Sequence, residues 1–324
     1  SKADTNIEEE VIFLGAPTGL EDEKRINLLS ITMVEKLCKS PMFISVIKSA
    51  TLTVFIALLC LLLMQSSISI GGRNITLILC WQLGIPLLFV LFFFAARFGC
   101  GICPIYSISK FFNKRNLKLP VPDFIKKYDA WIMGTGFISI LFLEEYTHMS
   151  ASISKTAYLI FSILLAAIIV DFIFEKSVWC RHLCPLGGMT GLFSMSSLIE
   201  IRANRNVCNT ICTTHDCFRG SEKADPCPMF LHLSFLSDNR DCKVCLNCIK
   251  NCTHLATRLN LRIPGAEISS LKQPSLPGAI FSILLSGLLA AEIVSRANII
   301  QANYLFLFST SILLALALSL TINY

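Results

Sequence analysis

Eight of the fifteen cysteines fall in two packed runs, and these are the residues whose spacing could do chemistry. Cys242, Cys245, Cys248 and Cys252 follow CxxCxxCxxxC, which wraps three thiolates around one face of an iron-sulfur cubane and sends the fourth elsewhere. Upstream, Cys208, Cys212, Cys217 and Cys227 form a wider version, with Pro228 directly after the last cysteine. In two-cluster ferredoxins the fourth cysteine of each run ligates the other cluster. On that pattern one [4Fe-4S] cluster takes Cys208, Cys212, Cys217 and Cys252, and the other takes Cys242, Cys245, Cys248 and Cys227. The uncrossed pairing stays open, because the first run is stretched and Thr253 stands where a second proline is expected. Two four-cysteine zinc sites are the alternative, disfavoured because zinc ribbons present two separated CxxC knuckles. His215, His232 and His254 lie among these cysteines, but eight thiols already satisfy two cubanes.

Two further pairs sit where apolar runs end. Arg97 to Pro104 reads RFGCGICP and Trp179 to Pro185 reads WCRHLCP, each followed by an amphipathic stretch, Ile105 to Phe112 and Leu186 to Leu198. The pattern is an internal repeat of two hairpins. If the hairpins pack as a pseudo-symmetric pair, Cys100, Cys103, Cys180 and Cys184 converge on one further iron or Fe-S centre at the membrane surface, since four soft ligands suit Fe or Zn. Redox-inactive thiols or a simple dithiol pair are the open alternative. Cys38, Cys60 and Cys80 read as small apolar residues. The sequence has no CxxCH for covalent haem, no His pair facing across two spans and no glycine-rich nucleotide loop. Iron-sulfur centres are therefore the only cofactors it declares.

The elements that must position these cysteines are apolar. Over 324 residues, 54% are hydrophobic and 15% charged, with a mean hydropathy of +0.64, too apolar for an ordinary soluble protein. Six runs of roughly 20 apolar residues are read at 46–66, 75–96, 130–147, 157–174, 278–295 and 303–321. The fold expected is an all-α membrane protein of about six transmembrane helices, in two repeated hairpins plus a closing hairpin, with a small cytoplasmic two-cluster ferredoxin-like domain. Its parts are an N-terminal tail (1–45), the hairpins (46–174), the ferredoxin domain (175–277) and the closing hairpin (278–324).

All but three of the 28 Lys and Arg precede or open the first span, lie between Arg97 and Lys127, or lie between Lys176 and Lys272. The exceptions are Arg73, Lys155 and Arg296. The positive-inside bias thus places both termini and every cysteine motif in the cytoplasm, and the basic residues report topology, not nucleic acid. The polar, acidic opening from Ser1 to Asp22 carries no secretory signal pattern. A reducing compartment makes disulfides a poor account of the loop cysteines, and bound metal is the expected substitute for a large apolar core.

Two membrane-exit motifs ending in CysPro, followed by a double ferredoxin run, resemble the NapH/NosR group of polyferredoxin membrane proteins over roughly residues 46–255. The short CysGlyIleCysPro spacing departs from the family pattern, as do the stretched first run and Thr253. The resemblance implies a subunit of the bacterial inner membrane that takes electrons from membrane quinol and passes them to Fe-S or cytochrome subunits of a respiratory complex. With no room for a periplasmic flavin domain before the first span, the chain looks like the shorter NapH type. A copper reductase or assembly factor of the oxidase-accessory ferredoxin kind, and a redox sensor without turnover, are the competing readings. Transport is weaker, because no pair of broken helices marks a midplane site.

Quinone-site candidates are the ionisable residues near bilayer depth: Glu144, Glu145 and His148 at the outer ends of spans, with Glu292 and Gln82, and Asp171 near the inner end of the fourth. Reaching the headgroups is their alternative role. Arg240, Lys243 and Lys250 beside the second run are expected to favour the more negative, reduced state of a cluster, or else only to keep the loop soluble.

Overall fold

The computed structural model describes residues 25–64, 68–70, 73–113, 117, 119–174, 177–269, 276–296, 309–310 and 313. The chain divides into two compact units, residues 1–270 and 271–324. In the first, strand β1 (Ile26–Asn27) and helix α1 (Thr32–Lys39) precede the long helix α2 (Pro41–Leu63). Pro41 sits at the helix start, where its missing N–H costs nothing. Helix α3 (Ile75–Ala95) starts on Asn74, whose side chain accepts from the Thr76 amide. It loosens into a π segment over Ile78–Gly84, just before Pro86, which offers no N–H to the carbonyl four residues back. Gly84 suits that segment, since a Cβ there would come 2.8 Å from the Leu79 carbonyl oxygen.

Helix α4 (Pro104–Asn113) follows the first exit motif, then α5 (Asp123–Thr147), α6 (Ile153–Ile173) and, after the second exit motif, α7 (Pro185–Ser194). The order α3, motif, α4 and α6, motif, α7 is the internal repeat. Among the described residues three helices, α2, α3 and α6, are long and apolar enough to cross a membrane. The expected third span lies in α5, which is 25 residues long but begins with the charged turn Asp123 to Asp129. The second unit holds one described helix, Leu276–Arg296, where the fifth run was expected. The sixth expected span, 303–321, lies outside the described residues apart from 309–310 and 313.

The expectation of an all-α chain needs amending in the ferredoxin region. There β2 (Ile199–Ala203) pairs antiparallel with β3 (Thr257–Leu261), and β1 closes the other edge of β3. Residues expected as an N-terminal tail thus supply a strand to this sheet, and Cys38 of α1 joins a core with Ile44, Ala96, Ile201, Ile249 and Leu259. That core runs from the ferredoxin region to the ends of α2 and α3, so the cysteine runs and the membrane exits share one body.

Behind the sheet lies a buried ionic cluster. Glu200 is wholly buried and accepts from Arg262 Nη1 at 3.1 Å, Arg25 Nε at 3.0 Å and Asn260 Nδ2 at 3.1 Å. Glu267 binds both Arg202 and Arg262. Arg262 also donates to the carbonyls of Ser194, Met195 and Ser197, which end α7. Removing one partner of a buried, hydrogen-bonded ion set leaves an uncompensated charge. Arg262→Met should therefore destabilise the detergent-solubilised protein by about 3–5 kcal/mol in thermal unfolding. Lys39→Ala, which breaks only the exposed pair with Glu35, should change it by less than about 0.5 kcal/mol.

Candidate iron-sulfur centres

Both exit motifs use the same local device. Each ends in CysPro, and the proline opens a helix whose first amides have no partner within it. Cys184 is the N-cap of α7, its sulfur accepting from the Gly187 amide at 3.4 Å. Cys103 occupies the same place before α4 and accepts from the amides of Ile105 and Tyr106. A helix N-terminus favours a thiolate over a thiol. The other cysteine of each pair sits one turn upstream, Cys100 in the short helix Phe98–Gly101 and Cys180 in the π turn Trp179–Leu183. Each motif is entered through a left-turning, non-glycine residue, Ala96 at φ 51° and Ser177 at φ 40°.

The two pairs converge. Burial pushes the Cys103 thiol up to about 12, with Cys180 and Cys100 as the neighbouring charges that add to it. Burial also lifts Cys184, and Cys180, Cys100 and Cys103 add to that rise. The Cys100 sulfur lies 3.4 Å from the Thr190 hydroxyl of α7, so the first motif touches the helix of the second. The first motif is also tied to α2, where Thr51 Oγ1 donates to the Ile102 carbonyl at 2.9 Å.

The eight remaining motif cysteines divide between two cavities. Cys227, Cys242, Cys245 and Cys248 line one, with Pro228, Met229 and Leu233. Cys208, Cys212, Cys217 and Cys252 line the other, with Leu233 again and Asn251. The fourth cysteine of each run has crossed to the other set. Turns of positive φ make this wrapping reachable: Val244 at 49° and Leu246 at 62° flank Cys245, and His215 at 52° lies between Cys212 and Cys217. Such a conformation is costly for a β-branched residue like Val244.

Burial raises Cys242 to about 12 and Cys208 to about 11; Cys217, Cys252 and Cys212 push Cys208 further. Cys248 is lifted by burial and then by Cys245, Cys242, Cys227 and Cys217, the last from the neighbouring set.

Burial opposes ionisation of these thiols, and a bound cation would offset it by favouring thiolate. Among the described residues no three His, Cys, Asp or Glu side chains come close enough to hold one metal ion. Four soft sulfur donors in each lining are the donor set of an iron-sulfur cluster.

The exit thiols and the Cys227 set are in backbone contact. A Cβ on Gly101 would lie 2.8 Å from the Lys243 carbonyl oxygen and 3.6 Å from the Cys245 Cα. A Cβ on Gly191 of α7 would lie 2.9 Å from the Arg240 carbonyl oxygen, which also accepts from the buried Arg97 at 2.7 Å.

The remaining site candidates separate into two groups. Asp171 is fully buried beside the second exit motif and accepts from the Trp179 amide at 3.1 Å. Glu144, Glu145 and His148 stand at the other end of α5, where His148 turns left-handed and its amide caps the Glu144 and Glu145 carbonyls. Asp129, near the start of α5, bonds His182 of the second exit motif at 3.0 Å. Fifteen residues of helix, about 22 Å, separate Asp129 from Glu144. Sequence reasoning missed the His182–Asp129 pair; the signal available was a histidine inside WCRHLCP and a carboxylate in the second turn of α5, two helices before the motif's own α7. Of Glu292, only its place in the helix Leu276–Arg296 is described.

Comparison with known proteins bears on these motifs. A family described as "4Fe-4S binding domain" matches residues 77–122 and 156–202, one stretch per exit motif. The putative electron transport protein YccM of Escherichia coli is 29% identical over 161 residues, 48% of this chain and 39% of its own. The ferredoxin-type protein NapH of Haemophilus influenzae is 27% identical over 140 residues, 40% of this chain and 47% of its own. The regulatory protein NosR of Pseudomonas aeruginosa is 26% identical over 197 residues, 52% of this chain and 27% of its own. The chain thus spans about half or less of the length of each of these relatives. No solved structure matches it. These ferredoxin-type relatives and a repeated 4Fe-4S binding domain make the chain similar to NapH/NosR-type polyferredoxins.

Proposed function

We propose that the chain carries electrons between the membrane quinone pool and a protein partner, by quinol oxidation that feeds a respiratory reductase. Two [4Fe-4S] clusters are held by Cys208, Cys212, Cys217 and Cys252, and by Cys227, Cys242, Cys245 and Cys248. A third iron-sulfur centre is held by Cys100, Cys103, Cys180 and Cys184. Each centre, when bound, accepts and gives up one electron at a time. The observation that carries this reading is the gathering of four exit thiols from two repeats, against the backbone of the Cys227 set. It supports one order: exit centre next to the bilayer, then the Cys227 set, then the Cys208 set. The basic segments that flank the motifs support a cytoplasmic location for all three.

Quinol oxidation releases two electrons and two protons. The electrons leave toward the exit thiols, and a carboxylate near them takes a proton. Asp171, buried beside Trp179, is that carboxylate. Glu144, Glu145 and His148 are less suited, since an electron taken there would have to cross about 22 Å of α5.

Anaerobically purified protein should contain about twelve iron and twelve acid-labile sulfide per chain, four of each per centre. Cys103→Ser and Cys184→Ser should each lower both to about eight and remove the same spectroscopic centre. Zinc in place of iron would end this reading, and unchanged iron in both variants would remove the third centre from it. In reconstituted membranes, stopped-flow reduction of the clusters by quinol should slow at least tenfold in Asp171→Asn, a loss of about 1.4 kcal/mol in barrier lowering. Glu144→Gln and His148→Ala should change it little. The reverse order would move quinol to the far end of α5.

A further inference from the structure

Lys243 lies in the ferredoxin run between Cys242 and Cys245, yet its side chain reaches the membrane-exit helices. The residue is 3% exposed, and its ammonium lies 3.9 Å from the centroid of the Tyr106 ring on α4. Its Nζ is fully buried, and the polar group it faces is the Cys180 thiol of the second exit motif. The backbone on which it stands is fixed, because the Lys243 carbonyl abuts Gly101 of the first exit motif.

A buried ammonium that faces an aromatic ring and thiols, with no carboxylate paired to it among the described residues, is poorly compensated. What lies around it are thiols of two different sets. Lys243 draws down the thiol of Cys180 in the exit set, where only burial has a larger effect. It also draws down Cys227 in the inner ferredoxin set. The other cations expected to act on this run are placed differently. Arg240 is exposed, and the half-buried Lys250 faces Cys245 and Cys38 but no exit thiol.

We infer that Lys243 is the counter-cation shared by the exit centre and the Cys227, Cys242, Cys245 and Cys248 centre, and that it raises the reduction potential of both together. This rests on the three-centre reading proposed above. A cubane held by four thiolates is anionic and gains one further negative charge on reduction, so a fixed cation favours the reduced state. A cation between two such centres acts on each, and burial keeps salt from screening it. The potentials of the two centres then stay matched at the junction where an electron must cross.

The test is a redox titration of purified holoprotein followed by electron paramagnetic resonance, with iron measured for every variant. Lys243→Met should move two midpoint potentials downward and leave that of the Cys208 set in place, and the shift should persist at high salt. Lys250→Met should move the inner ferredoxin centre alone. Lys243→Arg keeps the charge and should hold both potentials near wild type, which also covers the case in which the Met variant loses its clusters. A shift of one centre, or of neither, at wild-type iron content would overturn the shared role while leaving the three-centre reading intact. A downward shift of both in Lys243→Arg would overturn it as well. Fewer than three redox transitions in the wild-type protein would instead overturn the three-centre reading, and the shared role with it.

Discussion

Burial of closely grouped thiols is the constraint on which the rest of this structure depends. Twelve cysteines stand in three sets of four, and in each set burial and neighbouring thiols oppose ionisation. The chain answers with amides: helix starts after the two CysPro motifs, and the Val244 amide at Cys242. These favour ionisation but do not outweigh burial. On the proposed reading the balance falls to bound iron, whose positive charge would make thiolate the stable form. A small domain whose cysteine runs carry three short helices, Arg205–Thr210, Asp216–Arg219 and Asn247–Asn251, would then gain from ligation what a larger core otherwise provides.

The cost of that arrangement appears in the backbone. Of the eight non-glycine residues with positive φ among those described, only His148 lies away from a cysteine motif. Residues such as Val244 hold such conformations only where their surroundings over-determine them. Here the surroundings include the apolar core that Ile201, Leu233 and Ile249 share with Val244 and Leu246. Asn239 adds to this, since it accepts from the Cys242 amide while its own side chain spans Ser197 and Ile199.

Much of this was legible in local pattern. Cysteine spacing marked both runs, because a cubane needs closely spaced thiolates, but it left crossed and uncrossed pairing open; the crossed grouping of the cavity linings depends on the folded chain. The hairpin repeat was legible because the same short string, an apolar run and then CysPro, occurs twice. What was not legible depends on pairing between distant residues. Ile26 and Asn27 join the sheet through hydrogen bonds to Leu261 and Asn260, and nothing in a two-residue strand announces its partner. Residues 25–39 therefore read as tail. The burial of Lys243 was hidden for the same reason, because a lysine between two cysteines reads as a solvent-facing charge until Tyr106 is brought over it. The ionic cluster of Glu200, Glu267, Arg202 and Arg262 looks on paper like scattered surface charge.

These long-range contacts share a consequence for electron transfer. Arg97 grips the Arg240 carbonyl, Arg262 grips the end of α7, and Gly101 and Gly191 let backbones meet where any side chain would hold them apart. All of them join the membrane exits to the ferredoxin runs. Domain interfaces that must open are small and polar, whereas this one shares a buried core and a buried ionic cluster. An electron passed between fixed centres needs no hinge, and its rate is set by separation and potential. A chain of this kind therefore invests its buried charge in holding the exit thiols and the ferredoxin thiols at one distance, and leaves to the partner whatever motion the transfer requires.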